Sequence, residues 1–192
     1  VNYYVAVGDG GKVFKSTTGQ NDWAAIANGA ATQLNSALFY TAKLYAVGNG
    51  GTLVGTTDFV TWTRATTNTN QNLNAIATSG PLFVAVGDNG TLLSSPDGTT
   101  WTKVALPVSQ HLYGVAYANN GLWTAVGANG TVLTSKDGAT WTAMASNTTA
   151  NLRAVTVQVT SVYTFLAVGD GGVAIRSVDN GVTWTQPSTG TT

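Results

Sequence analysis

Glutamate and cysteine are missing altogether from this chain of 192 residues, histidine occurs once, and charged residues make up 8% of the total with a formal net charge of zero. Ordinary soluble domains carry roughly 25% charged residues. Each shortage excludes something. Without Cys there are no disulfides and no thiolate metal sites. A lone His111 cannot make a metal centre without further ligands, and no metal or cofactor is expected. Eight Lys and Arg scattered along the chain do not form the basic patch of a nucleic-acid-binding protein. No apolar run approaches the roughly 18 residues of a spanning helix, so membrane insertion is not expected. The surface is instead neutral and polar, drawn from 32 Thr and 16 Asn. The chain starts at Val1 and shows no signal peptide, which reads as a processed product or an excised domain.

What is abundant is repetition. Ala-Val-Gly recurs at residues 6–8, 46–48, 85–87, 125–127 and 167–169, at steps of 40, 39, 40 and 42 residues. Each is followed by a Trp: Trp23, Trp62, Trp101, Trp141 and Trp184. A period of this length, made of short apolar strands between Gly-rich turns, predicts an all-β fold, a five-bladed β-propeller with about 40 residues and four strands (A to D from the axis outward) per blade. The chain is taken as one domain, 1–192, with repeats near 1–33, 34–72, 73–111, 112–151 and 152–192. From the Trp of one repeat to the Leu that opens the next strand A the spacing is always 11, as from Trp23 to Leu34 and from Trp101 to Leu112. No such strand precedes Tyr3. Nineteen strands are therefore expected, with the first blade lacking its inner strand or taking it from the tail or another chain.

The turns are of two kinds. B–C turns recur as Asp9-Gly10-Gly11, Asn49-Gly50-Gly51, Asp88-Asn89-Gly90, Ala128-Asn129-Gly130 and Asp170-Gly171-Gly172, residues suited to positive φ in tight hairpins. C–D turns carry Ser95-Pro96-Asp97-Gly98-Thr99-Thr100-Trp101 and its near copies around Asp137, Asp179 and Asp58; the stretch from Ser16 to Trp23 is degenerate. An Asp carboxylate can accept backbone N–H groups across such a turn, so Asp58, Asp97, Asp137 and Asp179 are expected to be structural. These residues resemble the Asp-box, or bacterial neuraminidase repeat. Joined to Ala-Val-Gly-x-x-Gly, the repeat is similar to the family of photosystem II stability and assembly factors. The resemblance covers essentially the whole chain and implies the fold. It implies no single function, because such boxes occur in sialidases, lectins, assembly factors, sorting receptors and virion proteins as turn elements.

The sialidase pattern implied by that resemblance (an Arg triad, a Tyr nucleophile with a Glu partner, an acid/base Asp) fails on the missing Glu, and of Arg64, Arg153 and Arg176 only Arg153 is placed near the axis. All eight Asp belong to turns or boxes, leaving no spare carboxylate pair for glycoside hydrolysis. The expected function is therefore a non-catalytic interaction or structural module of a secreted or virion-surface protein, in an oligomeric or larger assembly. A lectin and a photosystem-type assembly factor stand as alternatives. The residues after the strand A Leu are Asn35, Asn74, Tyr113 and Arg153, which are not the same in every repeat, whereas a multivalent lectin should repeat its site. In an up-and-down blade the D–A loops share a face with the B–C turns, away from the boxes. A protein partner or glycan is expected there, contacting Tyr113, Arg153, Asn35, Asn74, His111, Asp88, Asn129 and Asp170, with Tyr113 and Arg153 as anchors.

Overall fold

The computed structural model describes residues 3–160 and 162–187. They form five antiparallel sheets, each built from strands consecutive in sequence. The first blade holds β1 (Tyr4–Val7), β2 (Val13–Ser16) and β3 (Ala24–Ile26), and the second β4 (Leu34–Tyr40), β5 (Lys43–Gly48), β6 (Thr52–Thr56) and β7 (Thr63–Arg64). The third holds β8 (Leu73–Thr78), β9 (Phe83–Gly87), β10 (Thr91–Ser95) and β11 (Thr102–Lys103). In the fourth are β12 (Leu112–Ala118), β13 (Leu122–Gly127), β14 (Val132–Ser135) and β15 (Thr142–Met144), and in the fifth β16 (Leu152–Val159), β17 (Tyr163–Gly169) and β18 (Ala174–Ser177). Among the described residues the first blade has no strand A, as the spacing predicts; residues 188–192, one candidate source for it, lie outside them. The nineteenth strand, expected at Trp184, shrinks to a single pair in which Thr185 and Arg176 exchange backbone hydrogen bonds of 2.8 and 2.9 Å.

Side chains alternate across a strand, so a blade has two faces, and in the inner blades both are buried. Tyr45, Val47 and Leu53 of the second blade pack on Leu73, Phe83, Ala85, Leu93 and Trp101 of the third. Val84, Val86 and Leu92 of the third then meet Leu112, Trp123, Ala125, Leu133 and Trp141 of the fourth. The same register joins the fourth blade to the fifth through Val126 and Val132 against Phe165, Ala167, Ile175 and Trp184, and the first to the second through Val5, Val7 and Val13 against Leu44, Ala46, Val54 and Trp62. Each blade thus has a leading face, which carries the box Trp, and a trailing face, and every seam sets a leading face on the trailing face before it. The Trp side chains of the second to fifth blades reach across to the preceding blade. Four seams are present; the fifth, which a closed ring requires, is not formed among the described residues.

The Gly of Ala-Val-Gly is explained by space, not by backbone freedom. Gly48, Gly127 and Gly169 are extended, with φ of −166°, −166° and −157°. A Cβ added at Gly48, Gly87 or Gly127 would lie 2.0 Å from the carbonyl oxygen of Gln33, Asn72 or His111. Those carbonyls accept the N–H groups of Asn49, Asp88 and Ala128 at 2.8–2.9 Å. The end of each D–A loop is in this way bonded to the B–C turn of its own blade, which fixes the two on one face.

The boxes form the opposite connections. Asp97 accepts the N–H groups of Thr99 and Thr100, both at 2.7 Å, while Ser95 Oγ accepts Gly98 N–H at 2.8 Å and donates to Asp97 at 3.0 Å. Asp58, Asp137 and Asp179 repeat the pattern. The degenerate first box rebuilds it with a displaced residue: Asp22 accepts from Ser16, Thr17 and Thr18, and Ser16 Oγ accepts Gly19 N–H at 2.6 Å. Backbone N–H groups hold the Asp97 and Asp137 carboxyls well below the usual carboxylate range, and those from Val60 and Thr61 bring Asp58 to about 2.

Two outcomes follow. Trp101→Ala empties a seam and should cost about 3–5 kcal/mol, whereas Trp23→Ala, at the exposed end of the first blade, should cost far less; equal urea midpoints would contradict the seam assignment. The box carboxyls titrate lower folded than unfolded (about 3.9 for a free Asp), so their stabilisation is complete above about pH 4 and is lost as pH falls through about 2. The Asp58→Ala variant should start less stable and lose less between those limits; a wild-type acid curve would refute this.

Candidate functional site

All four complete inner strands bulge at one place. Registers slip between Leu34 and Ser36, Leu73 and Ala75, Leu112 and Gly114, and Leu152 and Ala154. The residue left over is Asn35, Asn74, Tyr113 or Arg153. A β-bulge inserts one unpaired residue and re-aims its side chain. The backbone therefore singles out these four positions, two Asn, a Tyr and an Arg, at the loop end of strand A.

The bulged residues and the B–C turns join into one row across four blades. Asn35 Nδ2 donates to Asn49 Oδ1 at 3.1 Å and to the carbonyl of Leu73 in the next blade at 2.9 Å. Gly50 N–H donates to Asn72 Oδ1 at 3.1 Å, and Asn72 Nδ2 to Asp88 at 2.9 Å. Asn74 Nδ2 bonds Asp88 at 3.0 Å and the carbonyl of Leu112 at 2.8 Å, so Asn35 and Asn74 each tie one inner strand to the next. His111 Nδ1 lies 3.1 Å from Asp88 Oδ1. The His111 and Tyr113 rings lie parallel, 3° apart in plane, with centroids 6.3 Å apart. The Arg153 guanidinium sits 4.6 Å over the Tyr113 ring and makes two bonds of 2.7 Å to Asp170. Asn151 donates to Asp170 at 2.9 Å and accepts Asn129 N–H at 3.1 Å.

The electrostatics follow from these contacts. Burial pushes Asp88 up, but the bonds from Asn74, His111 and Asn72 outweigh it and leave the carboxyl below its ordinary value. Arg153, then Asn151, bring Asp170 to about 2. Asp88, Asp170 and Arg153 are all ionised at neutral pH. The row offers a clamped guanidinium, two stacked rings and amide groups rather than a reactive acid or base. Arg153, Asp170 and His111 remain half exposed and reach solvent.

The structure thus brings the eight residues named from the sequence onto a single face, with Asn129 entering through its backbone N–H. Asn72 and Asn151 were missed as members. They occupy the position of His111, one residue before the strand A Leu, and that alignment was the available signal. The bulge itself has no sequence signature beyond the failure of strict alternation after that Leu. Trp123, aligned with Phe83 and Phe165, is buried in its seam and takes no part.

No protein-family model matches the chain, and no curated protein matches it. Solved structures do. It is similar to YCF48 bound to D1 peptide, with a TM-score of 0.71 and 17% identity over 96% of this chain and 62% of that one. It is similar to a chain of a nidogen/laminin complex, with a TM-score of 0.74 and 14% identity over 96% of this chain and 77% of that one. YCF48 from Cyanidioschyzon merolae gives a TM-score of 0.62 and 19% identity, over 80% of this chain and 55% of that one. The chain thus spans less than two thirds of either YCF48 chain. At these identities the likeness is one of fold: the chain is an Asp-box β-propeller, as its repeats imply.

Arg153→Ala should let Asp170 rise from about 2 toward the ordinary value of about 4, read by carboxyl NMR titration, with the far-UV signal unchanged. An unmoved Asp170 would remove Arg153 from the row.

Proposed function

We propose that the chain is a non-catalytic recognition propeller that binds a polypeptide partner on the face of the D–A loops and B–C turns, centred on Tyr113 and Arg153. The observation that carries this reading is the bulged row: the repeated structure of the four blades that have an inner strand is interrupted at one position in each, and two of those positions hold Tyr113 and Arg153. Tyr and Arg are the residue types that dominate interface energetics, and here they are held by stacking and by a two-bond clamp on Asp170. Such restraint lowers the ordering cost of binding. The non-catalytic part is supported by the carboxylates. Asp22, Asp58, Asp88, Asp97, Asp137, Asp170 and Asp179 are all engaged by hydrogen bonds and all shifted downward, whereas a glycosidase acid needs a raised one.

Two of the similar propellers come from structures titled for a D1 peptide and for a nidogen/laminin complex, which favours a polypeptide over a glycan. The row favours it too, because Tyr113 and Arg153 have no equivalents in the other blades. The sparse charge and Thr/Asn-rich composition suit a secreted or virion-surface setting.

The test is selection of binders from a displayed peptide library. A selected peptide should protect 111–114 and 151–154 from hydrogen exchange. Tyr113→Ala with Arg153→Ala should weaken it by about 30-fold or more, as hot-spot losses of about 2 kcal/mol imply, without shifting the denaturation midpoint. A footprint on the Asp-box face would overturn the assignment, and binding on a glycan array with no peptide selected would favour the lectin.

A further inference from the structure

Among the described residues, the two end blades each keep one face that no other blade covers. On the first it is the leading face: Tyr4 is 54% exposed, Phe14 36% and Trp23 40%. Their counterparts in the third blade, Phe83, Leu93 and Trp101, are buried against the second. On the fifth it is the trailing face, where Leu166 is 37% and Val168 43% exposed, while their counterparts Val84 and Val86 are buried against the fourth. One chain therefore carries, at opposite ends, the two halves of the contact that it makes four times internally.

We propose that these faces form a fifth seam between copies of the chain, the first blade of one copy seated on the fifth blade of the next. The argument is continuity with the seams already made. Tyr4, Ala6 and Phe14 occupy the register positions of Phe83, Ala85 and Leu93, and Leu166, Val168 and Ala174 those of Val84, Val86 and Leu92. Neither set includes a carboxylate. The two faces differ, so the contact is heterologous and each added copy presents a fresh end, giving an open chain of copies unless the rotation happens to close. Two copies closing together would make ten blades, beyond the usual four to eight of a propeller, so growth past the dimer is expected. Such a contact leaves the row at Tyr113 and Arg153 on its own face, and does not depend on what binds there.

Sedimentation over a concentration series tests it. The wild type should pass from the 19.7 kDa chain to twice that mass and beyond. Leu166→Asp with Val168→Asp spoils the trailing face, and Tyr4→Asp with Phe14→Asp the leading one; each double variant should stay a monomer with its dilute-solution melting temperature unchanged. Mixed, the two variants still hold one good face each and should form a dimer that goes no further. A wild type that stays at 19.7 kDa at every concentration overturns the proposal, as does a mixture that remains monomeric. If the wild type is a monomer and either double variant melts lower, the end faces close on each other within one chain instead.

Discussion

The contact on which the rest depends is the seam between blades. A lone four-stranded sheet of such short strands has little core of its own. Stacking leading face on trailing face buries both sides of strands B and C, which is why they read as unbroken apolar runs although the sheets are antiparallel and would ordinarily alternate. Ala85 and Leu93 pack one way while Val84, Val86 and Leu92 pack the other. Charge is excluded from so much of the chain for the same reason. The Trp of each box is part of this contact: it closes the outer end of the seam, and its burial depends on a preceding blade being there.

Once the seams are set, the two sets of connections have different freedom. The box turns are saturated by their own Ser and Asp, and their Gly sits against the neighbouring blade: a Cβ on Gly98 would meet Tyr45, and one on Gly138 would meet Leu82. Sequence change there disturbs a turn and a seam together. On the other side the D–A loop is held to the B–C turn by backbone bonds, which any side chain permits. Variation therefore collects at the loop face, and a bulge in each inner strand gives it an outlet.

The boxes and the row use their carboxylates in the same way. Carboxylates are used as hydrogen-bond acceptors, in boxes and along the row, and every resolved carboxyl shift lies downward. Arg153 is restrained from two directions, by the Tyr113 ring and by Asp170, so its cation is held in place instead of free to move.

The repeats alone determined the blades, their strand order, the incomplete first sheet and the structural duty of Asp58, Asp97, Asp137 and Asp179, because each of these is set within about 40 residues by local turn chemistry and the period of apolar residues. They also placed the row on the correct face, since alternation of connections is a property of any up-and-down sheet. Only the tertiary structure decided the rest. It showed that Asn35 and Asn74 bridge adjacent inner strands, that Asn72 and Asn151 belong to the row, and that the Trp residues reach into the blade before their own. It also showed that the seam between the last blade and the first is not made among the described residues. Those facts depend on a one-residue register slip and on which blade lies beside which, and both are settled by packing between repeats rather than by any residue's neighbours in the chain.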